Sequence, residues 1–267
     1  MIRKGKIVSI LSIVLVFVII AAGCGQAGGN TVSNESEVIK LGFAGPLTGA
    51  CAQDGEAMKK SVALAVDLVN KAGGVNDKSV EVIYEDDKSD PKEAASIANK
   101  FASDKSILAV IGHYNSSCTL AGAPIYNKTG VVEISAGSSS PGVTEAGPYT
   151  FRTITTDAFQ GQYLLDWAVK DEGFKNIAVV YENTDYGQGI LKIVEAEATK
   201  LGANVVAKEA YILGQTKDFS STVTKIKSLS PDVIIIGGLY NETALLAKQA
   251  ERNGYKVPMM GVDGIYS

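Results

Sequence analysis

Four short segments of this 267-residue chain gather side chains that could do chemistry. Gly112-His113-Tyr114-Asn115-Ser116-Ser117 and Ser135-Ala136-Gly137-Ser138-Ser139-Ser140-Pro141 combine hydroxyls with small residues that leave backbone N–H groups accessible. At a turn or helix start, that combination suits a carboxylate. Asp185-Tyr186-Gly187 opens a predicted helix, and Gly261-Val262-Asp263-Gly264 offers a lone anion. A carboxylate receptor facing a carboxylate donor can clasp an α-amino acid, with Asp263 holding the ammonium. Each segment alone also reads as an ordinary loop, so the argument rests on their combination at matching places in the fold.

Other chemistries lack their residues. A Ser–His–Asp triad would have to use the single histidine, His113, and no G-x-S-x-G elbow accompanies it. A dyad of His113 with Cys118 has no further support, so a structural or pocket-lining His113 is the reading taken. Gly45-Pro46-Leu47-Thr48-Gly49 has the wrong spacing for a dinucleotide or phosphate loop. Zinc would need more His and Cys than one and three. Glu85-Asp86-Asp87 reads as a strand end and solvated loop before it reads as a cation site. Neither a cofactor nor a metal is expected, and the chain reads as a binding protein, not an enzyme.

The elements that must position these segments alternate along the chain. Runs rich in β-branched residues fall at Val38–Ala44, Val80–Glu85, Leu108–Ile111, Val131–Ile134, Ile177–Tyr181, Asn204–Ala210, Val233–Ile236 and Pro258–Gly261. Between them lie helical spacings such as Met58, Val62, Ala65, Val66 and Val69, or Leu191, Val194, Ala198 and Leu201. Ser89-Asp90-Pro91 signals a helix start, and Gly202 a helix stop. This alternation predicts an α/β fold with parallel sheets and right-handed crossovers. Eight runs would also suit an eightfold barrel. The Ser-, Gly-, Pro- and Thr-rich stretch from Ala136 to Thr156 breaks the rhythm, however, and is read as the passage between two doubly wound lobes. Each of the four polar segments then follows a strand, where such sheets bind ligands.

The N-terminus is a secretory leader. Arg3, Lys4 and Lys6 precede an apolar run from Ile7 to Ala22, and Ala21-Ala22-Gly23 leads to Cys24. The small residues before Cys24 resemble a lipobox, so residues 1–23 are read as a signal peptide and Cys24 as the site of lipid attachment. Residues 24–37 are a flexible polar tether, residues 38–154 the first lobe and 155–267 the second. Without residues 1–23 the chain has 22 basic and 29 acidic side chains, a net charge of −7. That balance disfavours nucleic acid as a partner. Cys51 and Cys118 form an even pair in an oxidising compartment, open to a disulfide or to two separate buried thiols.

In this order the segments carry a resemblance. Gly45–Gly49, Asp54-Gly55, Asn70-Lys71-Ala72-Gly73-Gly74-Val75, Glu85–Asp87 with Asp90-Pro91, Gly112-His113 with Ser116-Ser117, Phe151-Arg152-Thr153, Asp185–Gly189, Lys217-Asp218-Phe219 and Gly261–Gly264 resemble the leucine/isoleucine/valine-binding family. Its members are solute receptors of ABC importers with the type I periplasmic binding protein fold. The resemblance runs from Val38 to the end. It implies two Rossmann-like lobes joined by three crossovers that close on a ligand, and a monomer that is tethered to the membrane and docks on permease subunits. It also implies site roles. Ser116 and Ser139 bind the carboxylate, the Gly137 carbonyl and Asp263 hold the ammonium, and Tyr114 and Tyr186 flank the ligand.

Two departures follow. Asp54 stands where the family often has Tyr or an apolar residue facing the ligand side chain; it either favours a polar or basic ligand or caps the following helix. Leu239 replaces an aromatic wall. Family members continue for roughly another hundred residues, which predicts that the C-terminal part of the fold is absent from this chain. A receptor for amides, urea or aromatic acids, or a signalling sensor, is the alternative.

Overall fold

The computed structural model describes residues 38–266. The leader, Cys24 and the tether lie outside the described residues. Two parallel sheets organise the chain. The first contains β1 (Ile39–Gly45), β2 (Val80–Asp86), β3 (Ile107–Ile111), β4 (Val132–Ser135) and β5 (Thr150–Arg152), in the order β2-β1-β3-β4-β5. The second contains β6 (Asn176–Glu182), β7 (Asn204–Tyr211), β8 (Val233–Gly237) and β9 (Met259–Gly261), in the order β7-β6-β8-β9. In both, the chain runs outward in opposite directions from its first strand. A crevice therefore opens at the carboxyl ends of β1 and β3, and another at those of β6 and β8. These switch points are where doubly wound sheets hold ligands.

The helices are α1 (Ala52–Lys71), α2 (Pro91–Ser103), α3 (Ser116–Thr129), α4 (Gly142–Glu145), α5 (Asp157–Asp166, continued by a π turn to Asp171), α6 (Asp185–Leu201), α7 (Ser220–Leu229) and α8 (Tyr240–Arg252). Local chemistry sets their ends. Asp90 accepts from the Lys92 N–H at 2.7 Å with Pro91 in the first helical position of α2. Thr184 caps α6 through the Gly187 N–H at 3.3 Å, and Gly202 ends it at φ 70°.

The second sheet shows why parallel strands read as unbroken apolar runs. Along β6 and β8, Ile177, Val179, Val233 and Ile235 enter one buried cluster, and Ala178, Val180, Ile234 and Ile236 the opposite one. Both faces are covered, so the positions from Ile177 to Val180 and from Val233 to Ile236 are all apolar. In the first sheet, Ala44 and Val110 pack with Ile97, Phe101 and Tyr126. In α1, Met58, Val62 and Val66 are half-buried, whereas Ala65 and Val69 are exposed.

The stretch from Ala136 to Thr156 needs a correction. It is not a plain passage, since it contains α4 and then β5, which pairs parallel with β4 through Ile134 and Phe151. β5 is three residues long on the sheet edge, with Phe151 half exposed, so it carries no burial pattern. The next element, α5, packs on α6 of the second sheet. Cys51 and Cys118 are both free and buried. Among the described residues no helix is long and apolar enough to cross a membrane.

Candidate functional site

A cavity of about 440 Å³ lies between the two crevices. Tyr114, Asn115, Ser116 and Ser117 after β3, and Ala136, Gly137 and Ser139 after β4, form one wall. Glu182 to Tyr186 after β6, Leu239 after β8, and Asp263 with Gly264 after β9, form the other. Of the residues singled out for the site, Tyr114, Ser116, Gly137, Ser139, Tyr186 and Asp263 line this one cavity. Asp54 does not.

The first wall presents hydroxyls and helix-start N–H groups that suit negative charge. Ser116 starts α3, and its N-cap Asn115 makes no side-chain cap, so no cap side chain satisfies the first-turn N–H groups. Ser116 Oγ accepts from the Ser140 N–H at 3.3 Å, which ties the two turns together. Arg152 reinforces the second turn by donating to the carbonyls of Ser138 at 3.2 Å and Ser140 at 2.7 Å, and to the Thr144 hydroxyl. Ser139 Oγ has no hydrogen-bond partner of good geometry among the described residues, although its residue is buried. Gly137 is required by close approach, because a Cβ there would lie 2.5 Å from Tyr114 Cδ2.

Beneath this wall the polar groups are structural. His113 is fully buried, with Nδ1 2.7 Å from Asp87 Oδ2. Its carbonyl accepts from Ser135 Oγ at 2.5 Å. His113 thus props the turn from below and is absent from the lining. Glu133, deeper in β4, accepts from Thr150 Oγ1 at 3.2 Å, and burial pushes its carboxyl up to about 8.

The second wall is acidic. Tyr186 donates to Asp263 Oδ1 at 3.1 Å, and the Asp263 N–H donates to Gln160 Oε1 at 2.9 Å. Glu182 is 2% exposed; its Oε1 accepts from the Thr184 hydroxyl at 2.6 Å, and Oε2 has no partner among the described residues. Burial raises the Glu182 carboxyl to about 7. Asp157 sits beside Asp263 and Arg152, fully buried, and burial lifts it to about 7 as well. Neither Asp157 carboxylate oxygen has a hydrogen-bond partner among the described residues. No Lys, Arg or His lines the cavity, while Glu182, Asp185 and Asp263 do. The arrangement can bind a group with a cationic end and an anionic end; it presents no nucleophile paired with a base. Among the described residues, no group of His, Cys, Asp and Glu could hold a metal ion.

Sequence reasoning missed Glu182 and Asp157. Glu182 is the last residue of β6, where an acid usually means a strand leaving the core. Asp157 looks like a first-turn acid of α5, and only the tertiary fold buries it.

The sequence profile described as "Periplasmic binding protein" matches residues 38–266. The chain belongs to this family. Its α/β architecture is the type I periplasmic binding protein fold. The "Leu/Ile/Val-binding protein homolog 1" of Brucella melitensis is 38% identical over 86% of the chain and 62% of its own length. The "Amino acid binding protein" of Pseudomonas aeruginosa is 35% identical over 85% of the chain and 61% of its own length. Among solved structures, the branched-chain amino acid transporter substrate binding protein LivJ of Streptococcus pneumoniae, in complex with isoleucine, is 33% identical with a TM-score of 0.77, covering 85% of this chain and 64% of that one. The chain thus spans 61–62% of the length of these curated relatives.

Proposed function

We propose that this periplasmic binding protein captures an α-amino acid, branched-chain or related, outside the cytoplasm and delivers it to the permease of an ABC importer. The observation that carries the proposal is the opposition of charge preference across one cavity: hydroxyls and helix-start N–H groups on one wall, and Asp263 held by Tyr186 on the other. Ser116 and Ser139 take the carboxylate, the Gly137 carbonyl and Asp263 take the ammonium, and Tyr114 and Tyr186 flank the body of the ligand. The relatives named for Leu, Ile and Val, and the isoleucine complex, support the substrate class. A ligand touching both walls favours the closed arrangement of the lobes, because only that arrangement makes both sets of contacts. In this reading Cys24 carries the lipid that keeps the monomeric receptor at the membrane. No chemical step is involved, so no cofactor is needed.

Isothermal calorimetry of the purified protein against the common amino acids tests this. A saturable heat with leucine, isoleucine or valine, abolished in Asp263→Ala and Ser139→Ala, is the expected result. No binding to any amino acid, with binding to an amide or an aromatic acid instead, would replace this ligand class.

A further inference from the structure

Asp54 stands outside the cavity, and its surroundings show a different task. It is the third residue of α1, inside the first turn, whose N-cap is Cys51. Its Oδ2 accepts from the hydroxyl of Tyr240 at 3.1 Å. Tyr240 is the first residue of α8, on the second sheet. The bond therefore joins the two lobes across 186 residues of sequence.

It is the polar part of a larger seat. Cys51 is fully buried in the cluster built on β6 and β8. Ala50 packs on Gly214, where an added Cβ would come within 2.9 Å of it, and Asn241 Nδ2 reaches the Ala50 carbonyl at 3.5 Å. The start of α1 thus belongs to the first lobe by sequence and docks on the second.

We infer that Asp54 and Tyr240 form an interlobe latch, a positioning pair that sets the population of the closed arrangement and does not select among ligand side chains. The inference rests on the proposed reading that the lobes open and close around a ligand. An apparent affinity is the intrinsic one reduced by the fraction of molecules already competent to bind. Loosening the latch therefore weakens every ligand by a common factor. A hydrogen bond to a partly exposed carboxylate sets that factor at roughly five- to tenfold.

The test uses the full chain as Tyr240→Phe and Asp54→Asn, with a cooperative melt required of each. Calorimetry is run with leucine, valine, glutamine and lysine, and small-angle X-ray scattering without ligand. The latch predicts that both variants weaken every bound amino acid by the same factor and leave the rank order intact. It also predicts a larger radius of gyration for both in the absence of ligand. If Asp54→Asn reorders the ligands while Tyr240→Phe does not, Asp54 is a selector and the latch is overturned. Superimposable scattering curves together with unchanged affinities in both variants overturn it too. If no amino acid binds even the wild type, the proposed function fails, and the scattering comparison still decides the latch.

Discussion

Tyr186 and Asp263 hold each other in a closed exchange: the tyrosine hydroxyl donates to Asp263 Oδ1 at 3.1 Å and accepts the N–H of the next residue, Gly264, at 3.2 Å. One carboxylate oxygen and the turn that carries it are thereby fixed before any ligand arrives, leaving Oδ2 for an ammonium. Preorganisation of this kind lowers the ordering cost of binding. Asp263→Ala is expected to weaken amino-acid binding about 100-fold or more, the scale for removing one partner of a desolvated charge pair. Tyr186→Phe should cost roughly tenfold, because the carboxylate stays but loses its aim. Calorimetry with leucine and with its α-keto acid separates the terms: the keto acid has no ammonium and should not distinguish Asp263→Ala from the wild type.

Gly137 offers a steric test of the opposite wall. A methyl group there would meet the Tyr114 ring at 2.5 Å and its carbonyl oxygen at 3.0 Å. The ring must move into the cavity or the turn must shift away from α3. Gly137→Ala should weaken ligand binding at least tenfold while costing about 1–3 kcal/mol of stability, the usual scale of overpacking. Thermal melts with and without ligand measure both effects. A variant that binds normally would show that Tyr114 is not held against this turn.

Much of this arrangement was legible in the sequence because it follows from strand ends. The β-branched runs around Val179 and Ile235 announced parallel strands, and each polar segment directly after such a run had to reach a carboxyl-end crevice. The bond between Asp54 and Tyr240 was not legible, since the readings offered for Asp54 were local or ligand-facing. No pattern near either residue reports their pairing. β5 escaped because an edge strand with half-exposed Phe151 has no alternation to detect. Glu182 escaped because burial of a strand-end acid is decided by α6 closing over it. Gly187 shows how closely, since a Cβ there would lie 2.1 Å from the Glu182 carbonyl.

The Asp87–His113 pair should govern stability and leave ligand chemistry alone. Both side chains are fully buried, 2.7 Å apart, and neither lines the cavity. Removing Asp87 leaves a buried ring nitrogen of His113 without its hydrogen-bond partner, at a cost of roughly 1–3 kcal/mol. Asp87→Ala is expected to lower the unfolding free energy from urea titration by that amount, with the affinity of the remaining folded protein changed only a few-fold. Urea titration followed by calorimetry on the folded fraction measures the two separately. A large loss of affinity at unchanged stability would mean that His113 acts on the ligand directly.

Three buried carboxyls predict the pH dependence of the ligand-free protein. Burial raises Glu133 to about 8, and Asp157 and Glu182 to about 7. A carboxyl whose folded-state pKa is above its unfolded value binds more protons when folded. Its stabilising contribution is complete below the unfolded pKa, near 4, and is lost as pH rises through the folded value. The melting temperature should therefore peak near pH 5 and fall steadily towards pH 8.5, the reverse of proteins whose carboxylates are ion-paired. Glu133 lies farthest from the cavity walls, so Glu133→Gln isolates the effect: it keeps an acceptor for Thr150 Oγ1 and removes the charge. The variant should match the wild type near pH 5 and exceed it at pH 8.5 by on the order of a few kcal/mol. Parallel melts of the two proteins across this range check the sign. A Glu133→Gln variant less stable than the wild type at pH 8.5 would show that Glu133 is ionised and paired in the folded state.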